Sequence, residues 1–217
     1  MDKKRLLSGV ILFGSLWGFS ECIIGSYLRD IGLPAGAIMT GVFAVGLMTV
    51  TRILYKKPGM QLGMGLVAGG LRLFNPFVGC FICSAVAIMA EGAFFELIWH
   101  YMSRDLSELR KPTLSVSMGI ISAYTLYVCG FIVTQILTPL FSSAGFHLEN
   151  LLVFLPQILS RGLPAALLGG AMVPAALLLR DIDLTHVPDR GYYTASVSVV
   201  VLCWVAVILN VFFFIGV

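Results

Sequence analysis

Charge is what this chain is short of. Asp, Glu, Lys and Arg together make up 12% of its 217 residues, about half the ~25% of an ordinary soluble domain. It has no block of like charge and no low-complexity tail, so composition points to neither a nucleic-acid-binding arm nor an appended soluble domain. G-x-S-x-G, H-E-x-x-H and G-x-x-x-x-G-K-[ST] are all missing. The chain therefore does not read as an enzyme, and any ATP-driven work falls to another polypeptide. Histidine is scarce as well, with three in the chain, which leaves a metal site weakly supported. No cofactor is called for.

What the chain does have is apolar surface. Hydrophobic residues reach 59%, in recurring runs of about twenty residues, long enough to cross a bilayer as helices. The fold class is all-α: a polytopic membrane helix bundle. The net charge of +3 comes from lysines and arginines in the connecting loops. The N-terminal MDKKRLLSGVILFGSLWG has a basic start like a signal peptide. Its apolar run, however, outlasts the ~7–15 residues of a signal and has no small-x-small cleavage site, so a retained first helix is expected.

Seven segments can be drawn. They are 6–28, 35–54, a short glycine-rich 60–74, 77–100, 113–140, a proline-interrupted 151–179, and 193–214. The stretch KKPGMQLGMGLVAGGLRLFNP, 56–76, organises the others. It is short for a spanning helix and rich in glycine, so long helices are expected to pack around it. Lys3, Lys4, Arg5, Arg52, Lys56, Lys57, Arg104, Arg110, Lys111, Arg180 and Arg190 fall on one side only if this short piece crosses. That leaves Arg29, Arg72 and Arg161 opposite. The basic side is cytoplasmic by the positive-inside rule, with the N-terminus inside and the C-terminus outside a plasma membrane.

Cys22, Cys80, Cys83, Cys129 and Cys203 all lie in apolar spans. They read as small packing residues, with Cys80-x-x-Cys83 as a redox or soft-metal pair in the alternative. Gly14, Gly18, Cys22 and Ser26 form a small-x-x-x-small stripe that admits close helix approach.

Ionisable residues inside spans are costly and point to function. By depth, Glu21, Arg72, Asn75, Gln157 and Arg161 are expected in the outer half, with Trp17, Tyr124 and Tyr127 as aromatic walls. Two readings follow. Glu21 neutralises Arg72 or Arg161 as a structural ion pair, or the set lines a polar cavity open to the outside. Two guanidiniums against one acid leave a spare donor fork, suited to a ligand carboxylate. Glu91, Glu96 and His100 are placed deeper, as a cytoplasmic-rim network or subunit contact, with proton relay or metal ligation in the alternative. Glu96 and His100 are spaced to meet on one helix face.

The run from KPG through LGMGLVAGGLRLF to AEGAFFELI, preceded by GLPAGAIMTGVF, resembles the substrate-binding S components of energy-coupling factor (ECF) vitamin transporters. The resemblance covers residues 6–179. It implies a six-helix core over 1–180 that captures a small vitamin-like nutrient from outside, in a prokaryotic cell membrane. It also implies docking on a transmembrane coupling subunit driven by two ATPase subunits. Family members dock through an alanine-x-x-x-alanine pair on the first helix; Gly14 and Gly18 occupy the comparable positions here. Residues 181–217, a loop and a seventh helix, exceed the family core. The resemblance thus makes Trp17, Glu21, Arg72, Asn75, Gln157 and Arg161 the expected substrate contacts. The rival expectations are a self-sufficient, proton-coupled secondary transporter or channel using Glu91, and a membrane redox or structural protein using the cysteine pair.

Overall fold

The computed structural model describes residues 3–74, 81–102, 109, 111–141, 148–182, 184 and 187–215, and these contain helices and no strand. Among the described residues, six helices are long and apolar enough to cross a membrane. We name the helices α1 (Lys3–Asp30) and α2 (Ala35–Tyr55), α3 (Met60–Arg72), α4 (Phe81–Met102), α5 (Pro112–Phe141), α6 (Leu148–Leu177) and α7 (Asp189–Ile215). The chain is a multi-pass membrane helix bundle. Asn75, Cys80, Arg104, Arg110 and His147 lie outside the described residues.

α2 is the innermost helix and α7 the most peripheral, with 61% and 17% of their spanning windows buried. The main core gathers Trp17, Met48, Met60, Met64, Phe95 and Trp99. Its tightest seams are built on glycine. A Cβ on Gly119 of α5 would strike the Gly169 carbonyl of α6, and one on Gly169 would strike Ala123. At such contacts the helix backbones meet directly, which in a membrane replaces the hydrophobic drive that lipid removes.

α3 has 13 residues, about 20 Å at 1.5 Å per residue, against a hydrocarbon core of ~30 Å. It is gripped from two sides. A Cβ on Gly14 or Gly18 of α1 would come within 2.7 Å of Val67 and 2.9 Å of Leu71. On the other side, one on Gly69 would come within 2.6 Å of the Ala85 carbonyl of α4. Its third face, Leu62 and Leu66, is exposed, so protein does not enclose α3 on every side. The glycines form a regular helix that satisfies its own backbone, and lipid can touch its leucines without meeting a bare polar group.

The turn before α3 explains KKPG. Lys56 ends α2 in the left-handed region at φ 51°, its N–H donating to the Arg52 carbonyl at 3.1 Å. Gly59 takes φ 84°, a conformation glycine adopts without strain. The first N–H groups of a helix have no intrahelical acceptor, and here Glu96 of α4 supplies one. Gly59 N–H donates to one carboxylate oxygen of Glu96, and Leu62 N–H donates to the other at 3.0 Å. Glu96 is therefore a cap for another helix and makes no ion pair with His100 among the described residues. The His100 ring instead packs edge-on to Tyr101.

The start of α7 is tied to α1 and α2 at the basic end. Arg5 of α1 donates to Asp189 at 2.7 Å and to the carbonyls of Leu184 and Val187 at 2.9 and 2.6 Å. Tyr192 donates to the Arg5 carbonyl at 3.1 Å and shares a 2.7 Å hydrogen bond with Tyr55. Further along, Trp204 of α7 donates to Ser15 of α1 at 3.0 Å. One side of α1 is thus covered by α7 and another by α3, and Gly14 and Gly18 are buried within the chain. A glycine already filled by Val67 or Leu71 cannot also seat a partner's helix, so the expectation that these two face a coupling subunit is corrected.

Two outcomes follow. Glu96→Ala leaves the first N–H groups of α3 without their acceptor and should cost about 1–3 kcal/mol. Amide hydrogen exchange at 59–63 should accelerate, and unchanged protection there would refute the capping role. Gly169→Val forces a side chain into the α5–α6 seam, where overpacking costs about 1–3 kcal/mol. The thermal midpoint of the detergent-solubilised protein should drop.

Candidate functional site

Two of the long helices are not regular throughout. α1 widens into a π-helical turn over Ser20–Ile24, and α2 does so over Met39–Ala44. The two turns touch each other. Such a turn adds a residue to the coil, disturbs the i→i−4 ladder, and is frequent at functional sites. Nearby hydroxyls bind carbonyls around the first turn: Ser20 donates to the Trp17 carbonyl at 2.6 Å, and Ser26 to the Cys22 carbonyl at 2.8 Å. The widened turns carry Glu21 on one side and Met39 and Thr40 on the other.

A cavity of about 160 Å³ opens between these turns, α4 and α5. Glu21, Thr40, Ser84, Glu91, Tyr127 and Thr134 supply its polar wall, and Met39, Ile88 and Phe131 part of its apolar wall. α4 contributes Ser84, Ala87, Ile88 and Glu91, spaced i, i+3, i+4 and i+7 and so on one helix face.

Glu91 is the deepest acid, 8% exposed. Thr40 donates to its Oε1 at 3.3 Å, and Oε2 has no partner among the described residues. Room for the carboxylate is made across the bundle by Gly130 of α5, where a Cβ would come within 2.9 Å of Oε1. Glu21 is half-buried and accepts a 3.2 Å hydrogen bond from the indole of Trp17. Burying a carboxylate without a full set of partners is costly, and two of them around one cavity is an arrangement a structural core would not select.

Arg72 is 5% exposed and lies at the end of α3. Its Nε donates to Ser84 at 3.3 Å, its Nη1 has no partner among the described residues, and Arg72 does not itself line the cavity. Arg72 is close enough for its charge to act on Glu21, yet the two form no ion pair within 4.0 Å. The structural ion-pair expectation is therefore not met for this pair. Gln157 and Arg161 are exposed on α6 and do not line the cavity. Arg161 acts electrostatically on Tyr127 from outside the wall, and Tyr124 packs over Gly162. Trp17, Glu21 and Arg72 are thus brought together, whereas Gln157 and Arg161 stand apart. Asn75 is outside the described residues.

No family model, curated protein or solved structure matches the chain. Function is accordingly read from the geometry of the site itself.

Glu91 and Thr40 are the residues whose place in this cavity the sequence reading did not give. Glu91 was grouped with Glu96 and His100 towards the cytoplasmic end. Instead, it sits in the middle of α4 and turns towards α1 and α2, while Glu96 turns to the start of α3. The available signal was angular: at about 100° per residue, positions 91 and 96 point some 140° apart, while 84 and 91 nearly superpose. Cys83, at the end of α4 away from the lysines, is disulfide-bonded and is not simply a packing thiol. Among the described residues no three His, Cys, Asp or Glu side chains gather as a metal site.

Two acids, four hydroxyls and aromatic faces suit a cation, through carboxylate pairing and contact with the ring faces. The Thr40–Glu91 bond tests whether this wall is preorganised. Thr40→Val keeps the shape but removes the donor to Oε1, and should weaken binding of a cationic solute several-fold. An unchanged affinity would mean that Thr40 serves packing alone.

Proposed function

We propose that this chain is a solute-binding subunit of a membrane transporter, with a positively charged nitrogen of a small solute held between Glu21 and Glu91. The observation that carries this reading is Glu91, a buried acid on the wall of a cavity framed by two π-helical turns, whose Oε2 has no partner among the described residues. At about 160 Å³ the cavity is small beside the ~300–1,000 Å³ of ordinary ligand pockets, which favours a small solute.

Within this class we favour an ECF-type S component, on the resemblance carried by KKPG, LGMGLVAGGLRLF and AEGAFFELI. The partners would be a coupling subunit and two ATPases, and the basic end would be cytoplasmic. The basic residues at one end of the bundle support that orientation, and the disulfide at Cys83 fits an oxidising exterior at the other. Docking would use surfaces of the core other than Gly14 and Gly18. The buried, mid-span position of Glu91 favours one rival, a proton-coupled secondary transporter.

Glu21→Gln and Glu91→Gln are isosteric and remove the negative charge. Each should reduce retention of the co-purifying solute, read by native mass spectrometry, by at least tenfold. Retention at wild-type levels in both variants would remove the site from consideration. Uptake into proteoliposomes should require the coupling and ATPase subunits. Uptake by the isolated chain in response to a pH gradient would select the proton-coupled rival.

A further inference from the structure

The charge on the cavity wall is of one sign. Its acids are Glu21 and Glu91, on different helices, and among the described residues no lysine, arginine or histidine lines it. An acid group on a ligand would meet carboxylates and hydroxyls there with no cation to pair it, and a buried charge left unpaired is strongly penalised. Most of the hydroxyls are already engaged. Thr40 donates to Glu91 at 3.3 Å, Thr134 donates to the Phe131 carbonyl at 2.7 Å, and Ser84 accepts from Arg72 at 3.3 Å. Beside them the wall is apolar. Ala87 and Ile88 lie within one helical turn of Glu91 on α4, Met39 faces in from α2, and on α5 the Phe131 ring centroid is 5.1 Å from that of Tyr127.

Resting on the reading of the Glu21–Glu91 cavity as a cation site, we infer that its ligand is a small monoamine with an apolar body, bearing neither an acid group nor a second charge. The ammonium is the part that the carboxylates can hold. The carbon body lies against Met39, Ile88 and Phe131, where each buried methylene tightens binding about fourfold. The number of charges agrees. Arg72 stands outside the wall but close enough for its charge to act on Glu21, so two carboxylates and one guanidinium leave a single negative charge for the ligand to balance. A diamine would bring its second ammonium to the apolar side, where nothing replaces its water. An amino acid would bring a carboxylate there, with the same loss. The anionic group expected from a spare guanidinium is therefore replaced, in this cavity, by hydrocarbon.

Four matched probes test this on the full chain in nanodiscs: butylamine, ethylamine, 1,4-diaminobutane and 4-aminobutanoate, titrated calorimetrically against empty nanodiscs. Butylamine should bind at least tenfold tighter than each of the other three. Phe131→Ala should narrow the preference for butylamine over ethylamine while changing ethylamine itself less than threefold. Should that variant fail to fold, the wild-type series decides on its own. If 4-aminobutanoate or 1,4-diaminobutane binds as tightly as butylamine, the uncharged apolar end is refuted while the cation site stands. Equal affinity for ethylamine and butylamine refutes it in the same way. If none of the four binds, both the monoamine and the cation site are refuted.

Discussion

A carboxylate on one helix holding the first turn of another is the interaction on which this bundle depends. α3 is too short to span by itself, and its start would present bare N–H groups at the edge of the membrane. Glu96 accepts from two of those amides and places a negative charge where the helix dipole is positive. With that end fixed, glycines on α1, α3 and α4 let three backbones close upon one another. The far end of α3 then delivers Arg72 to Ser84, a residue of the cavity wall. Moving the cap would move the guanidinium.

The cavity itself is a product of irregularity. Regular α1 and α2 would pack smoothly, whereas their π-helical turns meet and turn Glu21 and Thr40 towards α4. The widened coils have loosened carbonyls, and Ser20 and Ser26 partly answer them. What results is a polar pocket of small volume inside a largely apolar body.

Much of this architecture was legible in the sequence. The low charge, the apolar runs and the one-sided lysines give the helices and the alternation of their ends. Their bounds fall close to those expected, because hydropathy and charge are local. Partner choice is not. Gly14 and Gly18 could be recognised as a close-packing surface, but whether α3 or another chain fills it depends on helix rotation. The same holds for Gln157 and Arg161, which share the depth of Glu21 but point away from it. Glu91 and Glu96 lie at similar depth on α4 and differ mainly in angle, so depth alone groups them. The π-helical turns leave no mark in residue type that distinguishes them from ordinary helix, so Thr40 could not be foreseen beside Glu91.

The fastening of α7 bears on how the bundle can move. Arg5 spends its donors on Asp189 and on two carbonyls before α7, while Tyr192 and Tyr55 join the same cluster. The first, second and last helices are therefore knotted at the end where the lysines lie. Along the rest of its length α7 touches α1 through Trp204 and Ser15 and through apolar contacts such as Val207 against Cys22. At the opposite end α1 and α2 are joined directly by the four residues 31–34, where Leu33 N–H donates to the Leu28 carbonyl at 2.9 Å. The two helices are thus held at both ends, and their π-helical turns meet between the two fastenings.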